Sequence, residues 1–242
     1  MLFQEDSYLR EFEAKVLSLE GNAVVLDETV FHPRPHGGLD CDVGELRSER
    51  GAAKVFEAIA RGEDVLHVVD RPELFEPGQK VRGLIDWDRR YKMMRLHTAA
   101  HIFISILHGR YGALVTGGHV SPDYSRDDFD LELEDWRAAV KDAIEEVNEV
   151  AAKCVDVLVK WVSREEALAM PGIVKLAERL PPNVDKLRLV EIPGIDVQAD
   201  GGPHVRNTCE VGEIVLLKTE SRGRRRKRVY YTLKELADVV KV

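Results

Sequence analysis

From Tyr8 to about Asp86, apolar positions come in short bursts of strand length. Phe12-Glu-Ala-Lys-Val-Leu alternates, Ala23-Val-Val-Leu is a brief apolar run, and Val65-Leu-His-Val-Val and Lys80-Val-Arg-Gly-Leu-Ile read in the same way. Turn signals separate them at Gly21-Asn22, between Pro33 and Gly38, and at Pro77-Gly78. A short helix is predicted at Ala52 to Arg61. Strands at this spacing predict a small β-barrel over residues 1–87.

Beyond Asp86 the period becomes helical. Tyr91, Met94, Ile102 and Leu107 recur at helix spacing, with no Gly or Pro until Gly109. Strands are predicted near Ala113 to Val120 and Phe129 to Leu133. A helix follows from Glu134 to Lys153, with Trp136, Val140, Ile144, Val147 and Ala151 on one stripe and two acids at its start. Val155 to Val162 reads as a strand, Ser163-Arg-Glu-Glu as a capping box opening a short helix, and Lys186 to Ile192 as another strand. A hairpin of Glu213 to Thr219 and Arg228 to Thr232 precedes a last helix, Leu233 to Val240. Without strict βαβ alternation, residues 88–242 predict an α+β domain on a largely antiparallel sheet, and the whole chain an α+β fold.

Composition narrows the class only a little. With 242 residues, 44% hydrophobic and 32% charged, the chain reads as an ordinary soluble globular protein. It has no apolar stretch long enough to span a membrane, and Met1-Leu-Phe-Gln-Glu-Asp lacks the basic start and apolar core of a signal peptide, so a cytoplasmic protein is expected. Cys41, Cys154 and Cys209 are odd in number and widely spaced, which predicts reduced thiols rather than a disulfide framework or a Cys-only zinc site.

The net charge of -8 discourages nucleic-acid binding in general, but the charge is uneven. Arg222, Arg224, Arg225, Arg226, Lys227 and Arg228 form a basic run, and Arg89, Arg90, Lys92 and Arg95 precede His97. The run is either a solvated hairpin tip or a place for phosphates.

Candidate chemistry centres on Arg89 to His101. His97 and His101 stand four apart in the predicted helix and share one face, so both can point at one metal ion. A hundred residues on, Asp200 and His204 flank the turn Gly201-Gly202-Pro203, which can bring both side chains round to one point. Two histidines on a helix with a carboxylate and a histidine on a distant turn make a plausible set for one Zn2+ per chain. A catalytic zinc keeps one position open, so three of the four would bind at once.

Four blocks resemble the alanyl-tRNA editing proteins, free-standing relatives of the editing domain of alanyl-tRNA synthetase. They are the glycine-rich segment Thr29 to Gly44; Ile85-Asp-Trp-Asp-Arg-Arg-Tyr leading to His97-Thr-Ala-Ala-His101; Tyr124-Ser-Arg-Asp-Asp-Phe129; and Asp196-Val-Gln-Ala-Asp-Gly-Gly-Pro-His-Val-Arg-Asn-Thr208. They span nearly the whole chain in the family's order, and the barrel without a long C-terminal extension resembles its medium-length class. The chain departs from the family in three places. Asp200 stands where the family has cysteine, Pro203 where it tends to have threonine, and Gly37-Gly38-Leu39-Asp40 where it has Gly-Gly-Gln-Pro. A carboxylate for a thiolate puts metal affinity and choice in question, and Cys209 is a possible substitute ligand.

The resemblance implies zinc-dependent hydrolysis of the ester joining a wrong amino acid, chiefly serine, to the alanine tRNA, with no obligatory protein partner. A pocket made for alanine rejects an added hydroxyl poorly, whereas a second site that hydrogen-bonds it can discriminate by about 10^4. Thr29 is the candidate for that contact; the Gly37-Gly38 and Gly201-Gly202 backbones would approach the 3' adenosine, and the basic run would hold acceptor-stem phosphates. His32, His36 and His119 are candidates for substrate contact, and His67 and His108 read as structural. The rival readings are a tRNA-binding module of the same fold that has lost its metal, and an editing enzyme for another amino acid such as glycine.

Overall fold

The computed structural model describes residues 1–35, 37–170 and 185–242. The chain divides into two compact units, Met1–Met93 and Met94–Val242.

In the first unit, β1 (Glu11–Glu20), β2 (Ala23–Leu26), β3 (Gly44–Ser48), β4 (Gly51–Arg61), β5 (Asp64–Val69) and β6 (Lys80–Ile85) close into a barrel in the order β1-β2-β5-β4-β3-β6. Every pairing is antiparallel. Alternation fills the interior: Phe12, Ala14 and Val16 of β1 point in with Val24 and Leu26, Leu46, Val65, Val69 and Val81. The helix predicted at Ala52 to Arg61 is instead strand β4. Its inward residues are Ala53, Val55 and Ala58, because the register shifts between Val55 and Glu57. That bulge breaks the period of two, and the alanines then resemble a helix. Strand β3, unmarked by any apolar run, is held by pairing to both β4 and β6.

The glycine-rich segment is anchored within this unit. Arg90, fully buried, donates to the equally buried Asp42 and to the carbonyls of Val30 (2.7 Å) and Ser7 (3.1 Å), and Asp42 accepts from the His32 backbone N–H at 2.6 Å. A buried guanidinium with its partner and carbonyls satisfied resists removal of any member.

The helix α1 (Trp87–Tyr111) begins where Asp86 Oδ1 accepts from the Arg89 N–H at 3.1 Å, a carboxylate capping free amides. In the second unit β7 (Leu114–Val120), β8 (Ser125–Asp130), β12 (Ile214–Ser221) and β13 (Arg226–Leu233) form an antiparallel sheet in the order β12-β13-β8-β7. The Phe103 ring of α1 packs on Phe129 at 5.5 Å and on Tyr231 at 5.4 Å. The helix α2 (Trp136–Ala151) buries Trp136, Val140, Ile144, Val147 and Ala151, the stripe its sequence predicts. A smaller sheet, ordered β11-β10-β9, is built from β9 (Leu158–Ser163), β10 (Lys186–Ile192) and β11 (Asp196–Ala199). Between β9 and β10, α3 (Arg164–Ala169) has the predicted capping box, Ser163 Oγ accepting from Glu166 N–H at 3.1 Å.

Two further expectations are corrected. The last helix is reduced to a 3-10 turn at Lys234–Leu236, because Leu233 belongs to β13 and is buried there. Cys154 and Cys209 form a disulfide 55 residues apart in sequence, with Cα atoms 4.6 Å apart, and Cys41 alone is a free, buried thiol. Wide spacing hid the pair, since the chain returns beside the end of α2 only in the fold.

Candidate metal centre

One turn of α1 separates His97 from His101, and the turn after β11 carries Asp200 and His204. One ligand atom from each of these four lies within 4.8 Å of all the others, a group that could hold a metal ion. The imidazole ring centres are 4.9 Å apart for His97 and His101, 4.1 Å for His97 and His204, and 4.5 Å for His101 and His204.

Each ring is oriented from behind. His97 Nδ1 donates to the Pro203 carbonyl at 3.2 Å, His101 Nδ1 donates to Asp196 Oδ2 at 3.0 Å, and His204 Nδ1 pairs with the Thr98 hydroxyl at 3.0 Å. For His97 and His101, whose Nδ1–H is donated to an oxygen, Nε2 is left with its lone pair on the opposite side of the ring, the tautomer a metal ligand needs; His204 takes the same tautomer when the Thr98 hydroxyl accepts. Asp196 is itself fixed by Gln198 Nε2 at 3.1 Å. Burial pushes His97 down to about 4 and holds His204 well below the usual imidazole range, so both rings are neutral at physiological pH.

Asp200 faces these rings, with Oδ2 3.2 Å from His204 Nε2 and Oδ1 3.7 Å from His97 Nε2. Its turn is tightly made. Gly202 N–H donates to Asp200 Oδ2 at 2.7 Å, and the buried Arg188 donates to the Asp200 and Gly202 carbonyls at 2.9 and 3.0 Å. A Cβ on Gly202 would stand 2.7 Å from His97 Cε1, so only glycine lets the turn come this close. Three buried imidazoles and one half-buried carboxylate, converging, are a donor set suited to a divalent ion of zinc's chemistry.

The chain is 51% identical over 235 residues to an alanyl-tRNA editing protein AlaX-M of Saccharolobus solfataricus, covering 96% of this chain and 98% of that one. It belongs to the alanyl-tRNA editing protein family. A Methanosarcina mazei member, also named alanyl-tRNA editing protein AlaX-M, is 37% identical over 99% of this chain and 98% of its own. An alanine–tRNA ligase of Pyrococcus abyssi is 35% identical over 90% of this chain, but this match takes in only 24% of the ligase. Residues 187–230 match the family described as threonyl and alanyl tRNA synthetase second additional domain, and residues 5–89 match class II (A) tRNA synthetases. The first match contains Asp200 and His204.

The other residues singled out in the sequence of this editing-family member fall in several places. Gly201 and Gly202 sit in the metal-facing turn. Thr29, Gly37 and Gly38 belong to the first unit; Gly37 and Gly38 have φ of 62° and 79°, where a side chain is strained. The Thr29 hydroxyl is buried, pairs with His67 Nε2 at 2.8 Å and accepts from the Phe31 N–H at 3.0 Å. His67 Nδ1 donates to the Val24 carbonyl at 3.0 Å, and His108 Nδ1 to that of Ala113 at 3.1 Å, both structural contacts. His119 is half-buried on β7 beside Tyr124, His32 is buried against Phe3, and His36 lies outside the described residues. Cys209, tied to Cys154, is not a thiolate ligand.

The basic run turns out to be largely paired. Arg222 meets Glu220, Arg224 meets Glu132, Arg225 meets Asp130 and Arg228 meets Asp128, while Lys227 is buried and donates to the Gly223 and Arg224 carbonyls. Arg226 is exposed at the start of β13. Sequence reading passed over Thr98, Arg188 and Asp196 as individual residues. Thr98 and Asp196 lie within the blocks that resemble the family, yet only the fold gives each a histidine to orient.

Proposed function

We propose that this protein hydrolyses the ester of wrongly charged alanine tRNA, chiefly seryl-tRNA, with one zinc ion held by three at a time of His97, His101, His204 and Asp200, which leaves one position open for the ester or a water. The observation that carries the reading is the convergence of three rings whose Nδ1 atoms are all engaged from behind. When bound, zinc supplies Lewis-acid chemistry, polarising an ester carbonyl and easing deprotonation of water. The chain's own residues do the rest. Asp196, Thr98 and the Pro203 carbonyl hold the rings in place, and Arg188 ties the Asp200 turn into a fixed shape. The glycine backbones at Gly37-Gly38 and Gly201-Gly202 offer close approach to the 3' adenosine. In the basic run, where acids already occupy most side chains, phosphates would have to compete with Asp128, Asp130, Glu132 and Glu220.

Selectivity for serine is assigned to Thr29. Because His67 Nδ1 donates to a carbonyl, its Nε2 accepts the Thr29 proton, so Thr29 has only a lone pair left to offer and would accept from the seryl hydroxyl. Release of serine from seryl-tRNA(Ala), measured with and without a chelator, tests the reading. Rapid release abolished by chelation and restored by zinc is expected; no release by the metal-loaded protein would overturn it. In the same assay Thr29→Val should bring the seryl and alanyl esters closer in rate.

A further inference from the structure

A second polar feature of the second unit has no part in holding the metal. Asp127, on β8, is 3% exposed, and Tyr231, on β13, is fully buried and donates to Asp127 Oδ2 at 2.6 Å. Among the described residues Asp127 forms no ion pair, and Oδ1 accepts from none of them. Opposite it across the ladder stands Gly118, which is exposed; a Cβ there would lie 3.1 Å from Oδ1. The carboxylate is thus buried on every side but the one where a side chain is missing. Tyr231 packs on Phe103 of α1, the helix that also carries His97 and His101, and Asp127 lies within electrostatic reach of His101.

We propose that Asp127 Oδ1 receives the α-ammonium group of the aminoacyl ester, an inference that rests on the editing reading above. A buried carboxylate that Arg126 reaches only at a distance, without an ion pair, is costly, so the position favours a ligand that brings a cation into contact. An ammonium group brings a positive charge and three donors, and it enters where Gly118 leaves room. It is also the one charge common to every aminoacyl ester, whatever the side chain. Burial pushes the Asp127 carboxyl up to about 7, so without a ligand it is partly the neutral acid, and a bound ammonium group would draw it to the carboxylate.

Two variants and two substrates test this. Asp127→Asn keeps the volume and the acceptor for Tyr231 but removes the charge, and Gly118→Ala places a methyl in the approach. Each is assayed on seryl-tRNA(Ala) and on the same RNA deaminated to the hydroxyacyl ester, with zinc content and melting temperature measured alongside. For the seryl ester, kcat/KM should fall about 10- to 100-fold in either variant, the loss of one charge-assisted hydrogen bond. The hydroxyacyl ester, which has no ammonium, should be little affected. Equal losses on both esters, or none, would overturn the proposal while leaving the editing function intact; a wild-type protein inactive on both would sink the two readings together. Should Asp127→Asn fail to fold, Gly118→Ala carries the same comparison.

Discussion

Replacing Asp196 by alanine separates the orientation of a histidine from its mere presence. His101 Nδ1 donates to Asp196 Oδ2 at 3.0 Å inside a buried site, and that carboxylate also accepts from Gln198. Asp196→Ala removes the acceptor, so the ring is free to turn or to change tautomer, and Nε2 is no longer held toward Asp200 and His204. Loss of such an outer partner lowers metal affinity about 10- to 100-fold, or about 1.4 to 2.8 kcal/mol. The buried N–H left behind costs about 1–3 kcal/mol of stability, equivalent to roughly 2–4 °C of melting temperature per kcal/mol for a protein of this size. Asp196→Asn keeps an acceptor oxygen in place and should lose less on both counts. Zinc affinity is read by competition with a chromophoric chelator, and stability by thermal unfolding with and without metal. If Asp196→Ala bound zinc as tightly as wild type while remaining folded, the claim that the ring is oriented from behind would be wrong.

The remaining predictions are briefer. His97→Ala or His101→Ala should lose the metal and most ester hydrolysis but keep a folded chain, as judged by metal analysis beside circular dichroism. Asp200→Ala should weaken zinc binding and Asp200→Cys should retain it; equal affinity and rate in both and in wild type would remove Asp200 from the site. His67 is pushed down to about 4 by burial in the barrel, so between about pH 6.5 and 4 the unfolded chain takes up a proton that the folded one refuses. Stability should therefore fall with pH across that window by at most about 3 kcal/mol, and urea unfolding of His67→Asn should show a shallower slope than wild type. Reducing the Cys154–Cys209 disulfide opens a long loop and should cost about 2–4 kcal/mol, seen as a lower urea midpoint in dithiothreitol that a Cys154→Ser variant no longer displays.

Much of this protein is legible in its sequence because its signals are local. The alternation in β1, the stripe of α2, the capping box at Ser163 and the pair His97 and His101 are all set by period and by neighbouring residues, which a linear reading captures. Asp200 and His204 are legible for the same reason, since both flank one short turn. Where a signal depended on residues far apart in the chain, it was lost. Strand β4 read as a helix because a bulge, fixed by pairing with β5, shifts its inward residues out of step. Cys154 and Cys209 looked solitary until the chain returned to the end of α2. The basic run looked free, although the carboxylates that neutralise most of it come from β8 and from Glu132 and Glu220. The candidate metal centre divides the same way: its four side chains can be named from sequence, but only tertiary structure brings them together and sets Asp196, Thr98 and the Pro203 carbonyl behind the rings. Hydrogen bonds between distant segments exist only once the backbone has placed both partners, and no residue type along the chain records in advance which partner it will meet.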